Sequence, residues 1–498
     1  MKYLRSLTAA GLLHLAVGLP RPQMVYEGNQ GNVGGVDPPI PTYTGAPVGD
    51  LRGSTNLQGG IASRPPVDGG DSAVVQDPEL VGGQEADAGL GLYLDFNSAT
   101  YPNGPQPIRG GKGGTDPGPR TYEYEKLNPD TYAPPSTDLG TVPQAMWPLG
   151  LSHNLFGSGE ESGWARQQNQ DVLPVASAMA GVDMRLAPNA YRELHWHTSG
   201  EWALVLKGSV RVAAIDTDGA SFVDDVTAGD VWFFPQGVPH SLQALHEGAE
   251  FLLIFDSGTF SETDTFLATE MLMRTPISVW AKDLQTDVSS FDDIPDAEKY
   301  IFNGTPAPAN ITEQNITSSA GALWGPTGYT YHWSQQQPHN TTGGSVKILD
   351  PLTFPVADMF SAALVVLEPG ALREVHWHTE SDEWSYFLQG SARITVYAAP
   401  ASSQTFDFTA GDVGYIQKSN GHYIENTGTE DVIFLEVLQA KKFSDISAAQ
   451  WLALTPRQVV KDTLNLSDEV LDAIPKEKTL LKPGNPNMTA IAGGGQNF

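Results

Sequence analysis

Two stretches, Glu193–Trp202 (ELHWHTSGEW) and Glu374–Trp384 (EVHWHTESDEW), each set two histidines one residue apart and follow them with a glutamate. Strand side chains alternate faces, so His195 and His197 share a face, as do His376 and His378, while Trp196 and Trp377 point away. A third histidine follows each glutamate after 39 residues: His240 after Glu201 and His422 after Glu383. Either stretch alone could be a satisfied polar pair in a sheet. Recurrence of four ligand-type residues at matched spacing makes metal binding the better reading. Imidazole with carboxylate suits manganese, iron, zinc or copper, and ligand type does not choose among them. On an octahedral ion, four protein ligands leave two positions for water, substrate or oxygen. Such a site is reactive.

The halves keep step beyond the ligands. RLAPNAYRELHWH matches VLEPGALREVHWH, KGSVRV matches QGSARI, and TAGDVWFFPQGVPH matches TAGDVGYIQKSNGH. The offset is 181 residues through Arg192/Arg373 and His197/His378, then 182 from Glu201/Glu383 through His240/His422. One residue separates the two registers, and the pattern is an internal duplication.

These ligands must be held by strands. Short runs of Val, Ile, Phe and Trp broken by Gly, Pro and Asp (EWALVLKGSVRVAAID, AEFLLIFDSG) point to an antiparallel barrel or sandwich in each half. Gly229-Asp230 and Gly411-Asp412 are turn signals ahead of the third-histidine strands. Helix is expected in part within 263–300 (TFLATEMLMRT, FDDIPDAEKYI) and in a tail where Ser447 would cap AAQWLALTP.

Residues 1–19 read as a secretory signal peptide, with Lys2 and Arg5 before a short apolar stretch and small residues at Ala16 and Gly18. Residues 20–104, rich in Gly and Pro, read as a disordered extension or propeptide. Residues 105–272 then form an arm plus the first barrel, 273–340 a partly helical connection, 341–482 the second barrel with its helical tail, and 483–498 a C-terminal tail. No later apolar run is long enough to span a bilayer.

The 498 residues carry 28 basic and 58 acidic side chains, a formal charge of −30. That disfavours nucleic acid and anionic membranes as partners, and an anionic substrate would need its own local cation. With no cysteine, neither a disulfide nor a thiolate ligand can form. Sequons stand at Asn303, Asn310, Asn315, Asn340, Asn465 and Asn487, and some are expected to carry glycans in a secreted chain.

The motif H-x-H-x3-4-E-x6-G, followed by Gly-Asp and a third histidine, resembles the cupin barrel, and its duplication resembles the bicupins. EWALVLKGSVRV, SFVDDVTAGDVWFFPQGVPHSLQAL, GAEFLLIFDSGTFSE, EKYIF and AGDVGYI further resemble the oxalate decarboxylase family, from about Pro105 to Pro483. The resemblance implies two tandem cupin β-barrels in an all-β-dominated chain, and two manganese ions, each held by one of the three-His, one-Glu sets. It also implies oxalate as substrate and dioxygen as co-catalyst, and it allows for a homo-oligomer.

Arg192 and Arg373 stand three residues before the first histidine of each set. Strict alternation would put them opposite the ligands, whereas an irregular strand start after Pro188 and Pro369 would turn them inward. The resemblance favours the inward reading, with guanidinium holding the oxalate carboxylate. It places Glu262, in the lid sequence FSETDTF, as general acid/base, and Glu436 as a carboxylate lining the second site. Bacterial members read Ser-Glu-Asn-Ser-Thr where this chain has SETDT, so Asp264 adds a charge to the lid. No matching lid is expected in the second half, and the chemistry is assigned mainly to the first site. The rival readings are an oxalate oxidase, which would lack productive protonation at carbon, and a non-catalytic storage-type bicupin.

Overall fold

The computed structural model describes residues 137–158 and 162–484. The signal-peptide, propeptide and Asn487 readings, and the arm before residue 137, lie outside the described residues.

The described chain is mostly β and forms two barrels. In the first, two long strands, Glu201–Ile215 and His240–Phe255, run antiparallel, with Glu201 opposite Phe255 and Ala214 opposite His240. Their pairing shifts register around Lys207–Gly208. Gly208 has φ 72°, and a Cβ there would lie 1.9 Å from the Gly248 carbonyl oxygen. Only glycine lets the strand bend at that point, and the bend helps the sheet curl into a barrel. In the second barrel the same place is a break, at Gly390, between Glu383–Gln389 and Ser391–Ala398.

Near-continuous apolar runs such as VWFF follow from burial on both strand faces. Trp232 and Phe234 face the first barrel interior with Val182, Met184, Val210 and Val212. Val231 and Phe233 face the other way, into a layer between the barrels with Trp202, Leu204, Leu252 and Ile254. The second barrel answers with Trp384, Tyr386, Val413, Tyr415 and Leu435. Each fully buried large side chain there contributes roughly 1.5–3 kcal/mol, so the two barrels share one core layer.

The flanking segments cross over. The arm precedes the first barrel in sequence, yet Met146–Pro148 pairs with Asp412–Ile416 of the second. Thr330–Tyr331 of the connection pairs with Val231 and Trp232 of the first. Helices form at Ala268–Arg274, Ile277–Asp283, Ala448–Leu454, Arg457–Leu464 and Asp468–Ala473. Ser447 caps Ala448–Leu454, accepting from the Gln450 N–H. FDDIPDAEKYI is not helical. A 3-10 turn ends at Phe291, and the chain reaches strand Ile301–Phe302 through Pro295 and a left-handed Tyr300 (φ 54°).

Candidate active site

Strand Tyr191–Trp196 carries the first ligand pair, and its pairing with the third-histidine strand settles the facing of Arg192. Arg192 lies opposite Leu242 and His195 opposite His240, with a register shift between them. The bulge adds one residue and reverses the parity, so Arg192 is buried on the ligand side. Arg373 is turned inward by the same irregularity ahead of His376.

All eight ligand side chains are buried, and each set of four brings its donor atoms within 4.8 Å of one another. Backbone carbonyls fix the ring tautomers. Nδ1–H of His195 donates to Glu193 O (2.6 Å), that of His197 to Ser199 O (2.6 Å) and that of His240 to Val238 O (2.8 Å). In the second set, His376, His378 and His422 donate likewise to Glu374, Ser444 and Asn420. Every Nε2 is thereby left with its lone pair free for a metal. Glu201 Oε1 accepts from Trp232 Nε1 at 2.7 Å, and Glu383 Oε1 from Ser385 Oγ at 2.6 Å. The opposite oxygen of each glutamate lies toward the rings, 3.1 Å from His197 Nε2 and 2.9 Å from His422 Nε2.

The electrostatics agree with a cation site. Burial, then the charge of Arg192, hold His195 well below the ordinary imidazole range, and burial lowers His240. Burial and Arg373 do the same to His376. Burial alone would raise Glu201, but the His197 and His240 rings beside it outweigh burial and keep the carboxylate ionised. Glu383 is held low in the same way, against burial, by His422 and His378. Neutral imidazoles and an ionised carboxylate are the forms a metal takes. His240 Nε2 and His376 Nε2 are buried without a hydrogen-bond partner among the described residues, a cost that a bound ion would remove. The residues fit a metal.

Above the first site, Ser261 caps a short turn, Glu262–Asp264, that buries Glu262. Its carboxylate accepts from Arg192 Nη2 at 3.2 Å and from the Tyr300 hydroxyl at 3.0 Å. The Arg192 guanidinium lies 4.4 Å from the Tyr300 ring centre, while its Nε and Nη1 find no partner among the described residues. Burial and the Glu262 charge push the Tyr300 phenol well up, so it stays a proton donor. Glu193, on the bulged strand, receives the N–H groups of Thr269, Lys299 and Tyr300 and so ties the segment after the lid to the one that carries Tyr300. Phe255 and Phe260 stack 3.4 Å apart beside His197.

The second site is built differently. Arg373 Nε donates to Glu436 at 3.2 Å, and its Nη2 donates to Asp445, which Lys478 also contacts. Glu436 lies opposite Ser385 and Ala363, where the first barrel has Leu253 opposite Ala203 and Val182. Burial raises the Glu436 pKa against the opposing charge of Arg373. A short counterpart of the lid does exist here, contrary to the sequence expectation. Leu267 pairs with His195 and Ser447 with His376, so Phe443-Ser444-Asp445 stands where Phe260-Ser261-Glu262 does, with a shorter return to the strand. The FSE and FSD triplets carried that signal. Tyr300 and Trp232 also went unassigned, although EKYIF holds the first.

A cupin family profile matches residues 157–290 and 332–472. The oxalate decarboxylase of Bacillus subtilis (strain 168) is 44% identical over 374 residues, covering 75% of this chain and 96% of that protein. The chain belongs to the oxalate decarboxylase family of bicupins. A probable oxalate decarboxylase of Arthroderma benhamiae is 38% identical over 379 residues, covering 75% of this chain and 92% of that one. Among solved structures, the Bacillus subtilis oxalate decarboxylase at pH 4.6 superposes with TM-score 0.73 at 43% identity, covering 76% of this chain and 98% of that one. Another structure of that decarboxylase, with TM-score 0.73 and 42% identity over 76% of this chain and 100% of that one, belongs to a study of its Mn(II) centres. Membership of this oxalate decarboxylase family makes the chain an enzyme with two cupin metal-binding sites.

Proposed function

We propose that the first site converts oxalate and one proton to carbon dioxide and formate, with manganese in both ligand sets. The observation that carries this reading is the contact of Glu262 with Arg192 beside the first ligand set. It puts a proton carrier next to the cation that would hold the substrate. The manganese assignment is supported by the Mn(II) centres named for the Bacillus subtilis structure and by the three-His, one-Glu donor sets.

A redox-active metal, with dioxygen, supplies the reversible one-electron oxidation that weakens the carbon–carbon bond of oxalate. The rest falls to side chains. Arg192 offers its two unpartnered donors to the substrate carboxylate, supplying the local cation that a chain of charge −30 otherwise lacks. Glu262 takes the oxalate proton and returns it to carbon after carbon dioxide leaves, while the Tyr300 hydroxyl orients its carboxylate. The Phe255–Phe260 stack and the buried lid limit water beside the ligands. Without that proton transfer, oxalate would go to two carbon dioxides with reduction of dioxygen to peroxide. A buried acid on the lid favours the lyase over the oxidase, and two complete ligand sets weigh against a storage protein.

The second site holds metal and stabilises the fold. Its Arg373 is already paired with two carboxylates, which leaves less charge for a dianion than Arg192 offers. The chain is secreted through its first 19 residues, and glycans attach within the sequon set, of which Asn303, Asn310, Asn315, Asn340 and Asn465 are exposed.

Arg192→Lys tests the anchor. It keeps the charge but removes the planar fork, and formate turnover is expected to fall by about a hundredfold with metal content unchanged. Near-normal turnover in Arg192→Ala would remove the arginine from the mechanism.

A further inference from the structure

Glu262 is held at two ends. Its side chain meets Arg192 and Tyr300, whereas its backbone N–H donates to Gln167 Oε1 at 2.9 Å. Gln167 Nε2 also approaches Ser261 Oγ at 3.4 Å, and Asn169 Nδ2 donates to Phe260 O at 3.0 Å. The support is rigid. Gln167 lies in strand Gly163–Gln168, opposite Val182, and the next residue faces the other way, where Gln168 accepts from Trp384 Nε1 of the second barrel at 2.7 Å.

We infer that Gln167 is a positioning residue that latches the lid through its main chain and thereby sets the partition between formate and peroxide. This rests on the decarboxylase reading of the first site. Oxalate bound to Arg192 competes with the Arg192–Glu262 pair, so that contact weakens when the proton must be returned. The Gln167 contact does not compete, because it grips backbone rather than the guanidinium. Gln167 touches neither a metal ligand ring nor Arg192 through any of these bonds, so it acts through the lid residues Ser261 and Glu262.

The test compares backbone hydrogen exchange of the metal-loaded protein in wild type, Gln167→Leu and Gln167→Glu. Gln167→Leu removes the acceptor and is expected to speed exchange at residues 257–266 by about tenfold, the effect of losing one hydrogen bond. Metal content and exchange in strand His240–Phe255 are expected to stay as in wild type. Gln167→Glu keeps an acceptor for the Glu262 N–H and is expected to restore protection. On oxalate, Gln167→Leu is expected to yield less formate and more peroxide per substrate consumed. Unchanged lid exchange would overturn the latch, as would a rise spread equally through the core strand. Faster lid exchange with an unaltered formate-to-peroxide ratio would overturn its positioning role. The exchange measurement needs no substrate, so failure of oxalate turnover in wild type would count against the decarboxylase reading alone.

Discussion

Glu262→Gln is expected to lower formate output by at least about tenfold, equivalent to about 1.4 kcal/mol of barrier, while peroxide per oxalate consumed rises. The amide nearly preserves the shape of the carboxylate and can still accept from Arg192 and Tyr300, which lie 3.2 and 3.0 Å away. It cannot carry the proton. Oxalate would still be bound and its carbon–carbon bond still broken, so the loss falls on the branch between protonation at carbon and full oxidation. The measurement is formate and peroxide yield from one labelled oxalate sample for both proteins. An unchanged ratio at undiminished rate would remove Glu262 as the acid and turn attention to Glu436 and Asp445.

Changing His195 and His197 together to Ala is expected to remove the first ion and reduce turnover to background. Two of four donors go, and Glu201 is left without its His197 contact. Metal analysis should show about one ion per chain, and the equivalent double change at His376 and His378 should also leave about one. The second pair is expected to lower the thermal midpoint by removing a ligand that binds only the folded state. If the His195/His197 variant lost less than half of its metal, the first set would not be a primary site. Thermal unfolding distinguishes loss of an ion from loss of the fold.

The eight metal ligands were legible because duplication repeats type and spacing together, which chance seldom does. Arg192 was legible only through resemblance. Its facing depends on the bulge before His195, and alternation by itself gives the opposite answer. Hydrophobic pattern also could not show that Met146–Pro148 closes an edge of the second barrel, since pairing across hundreds of residues leaves no local period. Trp232 reaches Glu201 from a neighbouring strand for the same reason. Asp445 was within reach, because FSE and FSD align, but the missing residues after it disguised a shorter lid.

These differences explain how one duplicated barrel supports two unlike sites. The first keeps an apolar Leu253 behind its ligands and an arginine with donors to spare. The second replaces that leucine with Glu436 and adds Asp445, so its arginine is already paired on both sides. We place substrate chemistry at the first site because Arg192 has two donors without a partner among the described residues, whereas Arg373 has one.

The most direct test of this account is product analysis from carbon-labelled oxalate, with manganese quantified on the same preparation of wild-type protein. The account predicts one formate and one carbon dioxide per oxalate, little peroxide, and a rate that tracks manganese content. Two carbon dioxides with stoichiometric peroxide and no formate, or full activity in manganese-free protein, would contradict it.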